Sequence, residues 1–340
     1  MHFEIKDFDL NLLIDGYQPY FDSFHSSLVI NLYNLEKSKG KLVYFNNKLI
    51  ASILPDYFGD NFAALDFFYL DSIGLFELKD MFSRLDEIKT YSKNIIIRNI
   101  PLRNINQINK SFKTFNFRNP LFSFQVYPSE NEFPHVVYSF TKNEYLCVKT
   151  IKIGEVEIPL YEGKKFSEYR YTINRLIKKY PSVVIEKLNK QFYYETLESW
   201  KSNFFNNRES EIENKYSFLS ENNFTRFWFN PIEQFWSFYN RHNNRIRFVS
   251  NAVSFGKNKG FWIGTVQNDC LFIIIFLSNR HSSLFSDLLL LDILSYSNRY
   301  KLKKVFLGGS ETKSLYDFKK KYIKCFDYAY TQRVMDVNIL

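Results

Sequence analysis

The segment 305–322 constrains the fold more than any other part of the chain. It reads Val-Phe-Leu-Gly-Gly-Ser-Glu-Thr-Lys-Ser-Leu-Tyr-Asp-Phe-Lys-Lys-Lys-Tyr. Its first three residues have the apolar character of a strand, and Gly308 and Gly309 permit a sharp turn with close approach to a ligand. Ser310 is suited to cap a following helix, and Glu311 complements the positive end of that helix. The segment therefore predicts a strand–turn–helix unit whose free backbone N–H groups suit an anion or an oxyanion.

The helix predicted after this turn covers residues 312–322. Leu315, Phe318 and Tyr322 recur at i, i+3 and i+7, which is the apolar stripe of an amphipathic helix. Three consecutive lysines, Lys319 to Lys321, follow on the same helix. Turns of this kind are common, and a lysine run on a helix is usually a solvated face. The segment alone therefore leaves a purely structural role open.

The charge of the chain is concentrated in two segments. The 340 residues are enough for two packed domains of ordinary size, and their hydrophobic content of 45% is typical of a globular protein. The formal net charge is +9. Residues 299–324 hold nine Lys and Arg against two acidic residues, and residues 164–179 hold six against one. Such clustering indicates an anionic partner, which could be a phosphorylated cofactor, a nucleic acid or an acidic membrane surface.

The distribution of cysteine and histidine argues against several classes of site. Cys147, Cys270 and Cys325 are far apart and form no CxxC pair, as is usual in a reducing cytoplasm. The five histidines lack metal-ligand spacing, so no metal site is expected. We find no signal-peptide pattern, and the longest apolar run, Cys270 to Leu277, is too short to span a bilayer. A cytoplasmic protein without a transmembrane segment is expected.

The order of predicted elements is similar in the two halves of the chain. The first half has a hairpin at 41–58, with Asn46-Asn47 as its turn, and then predicts a helix at 75–88, a strand at 94–100 and a helix at 104–112. The second half predicts a hairpin at 261–277, a helix at 284–297, a strand at 304–307, the helix at 312–322 and a last strand near 327–338. This alternation favours an α/β class with mixed sheets, built as two α/β units. We place their boundary at residue 145, giving domains 1–145 and 146–340.

The second basic segment predicts an amphipathic helix over residues 164–179. Its buried stripe is expected to consist of Phe166, Tyr169, Ile173, Leu176 and Ile177. Arg170, Asn174 and Lys178 follow one another at intervals of four and share another face. Arginine favours bidentate contacts with phosphate or carboxylate, whereas lysine supplies a mobile point charge. A solvated basic face and a binding face explain this pattern equally well.

The C-terminal segment resembles the signature of the Fem-type branch of the GNAT acyltransferase superfamily. The likeness covers residues 282–325: an apolar helix, a strand, the Gly-Gly-Ser-Glu turn and a helix with Phe-Lys followed by an aromatic residue. It implies an electrostatic role for Lys319 at the reacting carbonyl or donor phosphate, with Phe318 orienting it. The residues implied to approach the donor or the oxyanion are those of the turn: Gly308, Gly309, Ser310 and Glu311.

A second resemblance covers residues 138–205. The Gly-Lys-Lys, Tyr-Arg and Ile-Asn-Arg pattern, followed by Tyr180-Pro181 and Trp200, is similar to the soluble catalytic half of bacterial phosphatidylglycerol aminoacyltransferases. Both families imply tandem GNAT-like domains, and because no segment is long and heptad-like enough for a coiled-coil arm, we expect the compact form. The residues implied to hold a phosphate-bearing ligand are Lys164, Lys165, Arg170, Asn174 and Arg175. The pyrophosphate loop of acetyl-CoA-dependent GNAT enzymes has no clear counterpart in the chain, which favours an aminoacyl-tRNA donor without excluding acyl-CoA.

These resemblances predict an acyltransferase without a covalent intermediate. The donor would be aminoacyl-tRNA, acyl-CoA or an acyl carrier, with no tightly bound cofactor. The acceptor would be a small molecule, a peptide or a cell-envelope precursor, with peripheral contact to an anionic membrane. No Ser/His/Asp or Cys/His arrangement stands out, in agreement with direct attack by an amine or a hydroxyl. The alternatives are a non-enzymatic basic protein that binds nucleic acid or another polyanion, and a tandem fold that has lost its activity.

Overall fold

The computed structural model describes the backbone of twelve stretches of the chain. These are residues 3–16, 27–55, 62–68, 94–101, 124–128, 135–140, 149–215, 221–279, 283–308, 313–326, 330–332 and 334–339. The strands are β1 (Phe3–Asp7), β2 (Lys41–Phe45), β3 (Lys48–Leu54), β4 (Phe62–Phe67), β5 (Asn94–Pro101), β6 (Phe124–Pro128), β7 (His135–Ser139), β8 (Lys149–Ile153), β9 (Val156–Leu160), β10 (Val184–Glu186), β11 (Phe248–Phe255), β12 (Asn258–Gln267), β13 (Cys270–Ser278), β14 (Lys304–Phe306), β15 (Tyr330–Gln332) and β16 (Val334–Ile339). The α-helices are α1 (Leu10–Gly16), α2 (Leu28–Ser38), α3 (Ser167–Lys179), α4 (Lys190–Lys215), α5 (Glu221–His242), α6 (Ser283–Arg299) and α7 (Lys313–Lys319).

The described strands form two seven-stranded sheets with the same plan. The first has the order β1-β2-β3-β4-β5-β16-β6, and the second has the order β10-β11-β12-β13-β14-β7-β15. In each sheet the first four strands are antiparallel neighbours, and the fifth runs parallel to the fourth. Strands β8 and β9 form a separate antiparallel pair. This repeated plan confirms the predicted α/β class with mixed sheets.

The sixth strand of each sheet comes from the other half of the chain. Strand β7 follows β6 in the sequence but pairs with β14 in the second sheet. Strand β16 follows β15 but lies between β5 and β6 in the first sheet. The two sheets have therefore exchanged equivalent strands.

Backbone contacts divide the chain into two compact units that reflect this exchange. The first unit holds Met1–His135, Gly309–Tyr316 and Thr331–Leu340, and the second holds Val136–Gly308 and Asp317–Tyr330. The boundary at residue 145 stays a prediction, but strand pairing crosses it at β7 and at β16.

The predicted hairpins form because their turn residues adopt left-handed conformations. Asn46 and Asn47 have φ values of 48° and 62° between β2 and β3. Asn268 and Asp269 have φ values of 44° and 60° between β12 and β13. Two consecutive left-handed residues are the backbone of a two-residue hairpin turn, and Asn and Asp tolerate them best among non-glycine residues. Both hairpins and the strand at 94–100 are confirmed, whereas the helices predicted at 75–88 and 104–112 lie outside the described residues.

The core of the second unit is built on β13 and α6. Strand β13 is buried along most of its length, as its continuous apolar sequence predicts. Twelve of the seventeen residues of α6 are buried, so this helix is covered on more than one side. A Cβ atom on Gly260 of β12 would lie 2.5 Å from Cδ1 of Leu289, which shows how closely α6 approaches the sheet.

Two long helices, which the sequence does not predict, lie between β10 and β11 along the chain, so the expectation that no long coiled-coil arm is present stays a prediction. Helices α4 and α5 contain 26 and 22 residues, which corresponds to about 39 Å and about 33 Å. They contact each other where the hydroxyl of Tyr194 donates to the carbonyl of Glu233 (3.2 Å) and where Lys201 pairs with the Glu233 carboxylate. The sequence signal is weak because α5 contains Pro231 and the apolar residues of α4 do not keep to one face along its whole length.

Candidate functional site

The two parallel strands of the second sheet separate after a short pairing. Strand β13 pairs with β14 from Cys270 opposite Lys304 to Phe272 opposite Phe306, although β13 continues to Ser278. Among the described residues, the rest of β13 has only β12 as a strand neighbour. In the first sheet, β4 pairs with β5 over five residues of its six. Beyond Phe272, the edge of β13 that faces the gap therefore has no described strand paired with it, and a ligand could bind there.

Gly308 lies where β14 ends at this gap. Its φ of 70° is in the left-handed region, as the predicted turn requires. Its carbonyl accepts a hydrogen bond from the N–H of Val136 (3.1 Å), but its own N–H has no partner among the described residues. Gly309, Ser310 and Glu311 lie outside the described residues, so their predicted roles stay predictions.

Helix α7 lies beside the open stretch of β13. The ring centroid of Phe318 is 5.7 Å from that of Phe276, which is past the point where β13 and β14 separate. Lys319 is the last residue of the helix, and its side chain is half-buried. Phe318 of the predicted Phe-Lys pair therefore lies beside the open stretch of β13, whereas the role of Lys319, which follows it at the end of α7, stays a prediction.

The helix predicted to reach residue 322 ends at Lys319, and a buried tyrosine explains why. The hydroxyl of Tyr138 donates to the carbonyl of Lys319 (2.7 Å) and accepts from the N–H of Tyr322 (3.3 Å). These bonds replace the next helical bonds, because a helical N–H would bond to the carbonyl four residues earlier. Lys320 and Lys321 lie in a turn, and the prediction that all three lysines are on the helix is wrong.

The three lysines therefore have different environments. Lys320 pairs with Asp317 (3.0 Å) at the surface. Lys321 places its Nζ 2.9 Å and 3.0 Å from the two carboxylate oxygens of Asp287 on α6. The Asp287 side chain is only 9% exposed. Its burial raises the pKa of the carboxyl group above the usual range, and the ammonium of Lys321 opposes this shift.

Helix α3 has the predicted buried stripe, although it starts later than expected. Residues Lys164–Phe166 form a short 3-10 helix before it. Phe166, Tyr169, Ile173 and Leu176 are buried, and Ile177 is partly exposed.

The structure shows what the predicted anion-binding residues contact. The Nη1 of Arg170 donates to the carbonyls of Tyr161 and Gly163, both at 2.9 Å, so this guanidinium holds the loop before α3. Lys164, Lys165, Asn174 and Arg175 are exposed. The Nζ of Lys165 lies 5.2 Å from the ring of Phe166. An anion role for these five residues stays a prediction.

The fold brings the two basic segments together. The rings of Tyr169 and Tyr322 are in edge contact at 5.4 Å. Lys324 pairs with Glu168 (2.9 Å), and the thiol of Cys325 donates to the carbonyl of Lys165 (3.3 Å). The sequence does not predict this contact between the two basic segments, because no local pattern shows that they adjoin.

In the part of the chain that the structure describes, no three His, Cys, Asp or Glu side chains are grouped as metal ligands would be. No helix there combines the length and the apolar character needed to cross a membrane.

Comparison with known proteins identifies the fold through structure. No protein-family profile matches the chain, and no curated protein matches it by sequence. A tandem GNAT protein from the clavulanic acid biosynthesis pathway is similar in structure, with a TM-score of 0.52 at 11% identity, covering 99% of this chain and 98% of its own. The chain has a tandem GNAT-like fold.

Two further solved structures are similar to this chain over nearly its whole length. A conserved protein of unknown function from Bacteroides thetaiotaomicron has a TM-score of 0.60 at 12% identity, with all of both chains covered. The C-terminal domain of a putative lysylphosphatidylglycerol synthetase from Agrobacterium fabrum has a TM-score of 0.53 at 9% identity, covering 97% of this chain and 90% of its own. At such identities the likeness concerns the fold.

Proposed function

We propose that this protein is an acyltransferase that moves an aminoacyl or acyl group from an activated donor to an amine or a hydroxyl of an acceptor. The donor is an aminoacyl-tRNA or an acyl-CoA or acyl-carrier thioester, and no cofactor is tightly bound. The acceptor is a small molecule, a peptide or a cell-envelope precursor, met in the cytoplasm or at an anionic membrane surface. The observation that carries this proposal is the gap between β13 and β14, flanked by Gly308 and α7.

The gap suits an extended part of the acyl donor better than a compact ligand. A strand edge offers a row of main-chain donors and acceptors, and an extended ligand can add to it as a further strand would. Gly308 has no side chain to obstruct the approach, and its N–H has no partner among the described residues. The Phe318 and Phe276 rings supply an apolar wall.

In the proposed reaction, a lone pair of the acceptor nitrogen or oxygen attacks the carbonyl carbon of the donor. A tetrahedral intermediate forms, and its oxyanion accepts a hydrogen bond from the N–H of Gly308, with the Lys319 ammonium as the nearby positive charge. Collapse of the intermediate breaks the thioester or ester bond, and the leaving sulfur or oxygen takes up the proton that the acceptor loses. The protein contributes orientation and charge stabilisation, without forming a covalent bond to the acyl group.

The Lys319 role is tested against its neighbour Lys320. Loss of one charge contact at a transition state lowers a rate by about 10²–10³-fold, so Lys319→Ala should lose this much transfer activity. Lys320 pairs with Asp317 at the surface, and Lys320→Ala should retain wild-type activity. Equal activity in the two variants would show that Lys319 has no catalytic role.

The donor class is tested by mass spectrometry of small molecules and nucleotides that co-purify with the protein. Transfer assays then offer labelled aminoacyl-tRNA and labelled acyl-CoA in parallel. Direct attack predicts sequential kinetics with no acyl-enzyme burst. A trapped acyl-enzyme would contradict the mechanism, and the absence of transfer from both donors and from an acyl carrier would contradict the function.

A further inference from the structure

Helix α3 presents a stripe of four exposed side chains that the proposed reaction does not use. Tyr171, Asn174, Arg175 and Lys178 follow one another at i, i+3, i+4 and i+7, so they lie on one face. Tyr171 is 62% exposed, which is unusual for a large aromatic side chain. From Tyr171 to Lys178 the stripe is about 10 Å long.

The stripe combines an exposed aromatic ring with two positive charges, of which Arg175 also helps to lower the pKa of the buried Asp287 carboxyl. The guanidinium of Arg175 lies 5.8 Å from the ring of Tyr171, within the range of a cation–π contact. Neither Arg175 nor Lys178 has a carboxylate within 4.0 Å among the described residues. The one acidic residue of the helix, Glu168, is paired with Lys324.

Two other occupants fit this surface poorly. A membrane-bound amphipathic helix must insert its apolar face, but Tyr169, Ile173 and Leu176 of α3 are fully buried in the protein. A small phosphorylated ligand needs a concave site, whereas the stripe is the exposed side of a helix. Arg170 is not part of the stripe, because its guanidinium donates to the Tyr161 and Gly163 carbonyls.

We propose that this stripe is a docking surface for a single-stranded nucleic acid. One base stacks on Tyr171, and the neighbouring phosphates contact Arg175 and Lys178. At the spacing of about 3.4 Å per nucleotide, the stripe accommodates about three nucleotides. Asn174 lies between the cations and offers both a donor and an acceptor to the strand.

This inference rests in part on the proposed function. A nucleic-acid docking surface favours aminoacyl-tRNA over a thioester as the acyl donor. Binding is nevertheless measurable without catalysis. An oligonucleotide that binds while no acyl transfer occurs would support the docking surface alone. Transfer from a thioester without oligonucleotide binding would support the acyltransferase alone.

The experiment measures fluorescence anisotropy of the full-length protein with labelled oligouridine and oligothymidine of about 12 nucleotides. Tyr171→Ala should weaken binding about tenfold, and Tyr171→Phe should retain it, because stacking needs the ring and not the hydroxyl. The matched control is Tyr300→Ala, since Tyr300 is 50% exposed and lies outside α3. Arg175→Ala and Lys178→Ala should each reduce the slope of log affinity against log salt by about one.

Circular dichroism of each variant establishes that the fold is retained. If Tyr171→Ala is folded and binds as tightly as wild type, or if Tyr300→Ala loses as much affinity, the stripe is not the docking surface. Vesicles of phosphatidylglycerol and phosphatidylcholine provide the last arm. Binding to anionic vesicles without binding to either oligonucleotide would overturn the proposal in favour of a membrane surface.

Discussion

At the scale of single residues, the lysine run shows that neighbouring side chains of one type can have unrelated roles. The sequence identifies the run, Lys319 to Lys321, but not the partner of each lysine. It cannot show that Lys321 pairs with Asp287, because that carboxylate lies 34 residues earlier on another helix. The two-glycine turn was predictable for a different reason, since the positive φ of Gly308 is a local property.

The Lys321–Asp287 pair predicts a pH-dependent loss of stability. Lys321→Ala leaves a buried carboxylate without its counter-charge, which lowers the free energy of unfolding at pH 7 by about 3 kcal/mol. The pKa of Asp287 is already raised in the folded protein and rises further when the lysine is removed. The folded state then binds the proton more tightly than the unfolded state does, so the variant recovers stability as the pH falls through this raised pKa.

Urea unfolding from pH 4 to pH 8 measures this effect. Lys320→Ala is the control, because its exposed pair with Asp317 contributes at most about 1 kcal/mol. Adding Asp287→Asn to Lys321→Ala should restore part of the loss, since the neutral amide needs no counter-charge. A Lys321→Ala deficit that is the same at every pH would contradict the ion-pair explanation.

At the scale of elements, local sequence determined where strands and turns form but not where α7 ends. The spacing of apolar residues predicts both hairpins and the helices α3 and α6, because each of these elements has a continuous apolar side. The end of α7 depends on Tyr138, which lies 181 residues before the carbonyl that it binds. The sequence does not predict the long helices α4 and α5, because Pro231 interrupts α5 and the apolar residues of α4 do not keep to one face along its whole length.

Tyr138→Phe should destabilise the protein by about 2 kcal/mol. The substitution removes a buried hydroxyl that bonds to two backbone groups and leaves both unsatisfied. Burial raises the pKa of Tyr138, so the hydroxyl remains a donor at any physiological pH. Thermal and urea unfolding measure the loss.

Tyr180→Phe is the matched control for this substitution. The Tyr180 hydroxyl is also buried but has no hydrogen-bond partner among the described residues, so its removal should be neutral or slightly stabilising. Equal losses in the two variants would mean that the Tyr138 bonds contribute nothing specific.

At the scale of the whole molecule, sheet membership was the least predictable property. The sequence predicts the repeated plan of two α/β units, because each unit has its own hairpin and crossover. It also predicts that the strand near 327–338 belongs to the second unit, since strands usually pair with near neighbours in sequence. The structure instead places β16 in the first sheet, and only long-range pairing energies distinguish these outcomes.

Removing β16 should therefore destabilise the first unit more than removing β1. Both strands are short, but β16 pairs on two sides, whereas among the described strands β1 pairs only with β2. Limited proteolysis and urea unfolding of variants lacking residues 333–340 or residues 1–7 make the comparison. Equal stability of the two truncated proteins would show that β16 adds little to the sheet.

The exchange of β7 and β16 has a consequence for the order of events during synthesis. The ribosome completes β6 long before β16, and at about 5–20 residues per second the interval is roughly 10–40 s. Throughout that time the first sheet has an open slot between β5 and β6, with unpaired backbone on both sides. Folding of the first sheet is therefore incomplete until β16 has been synthesised.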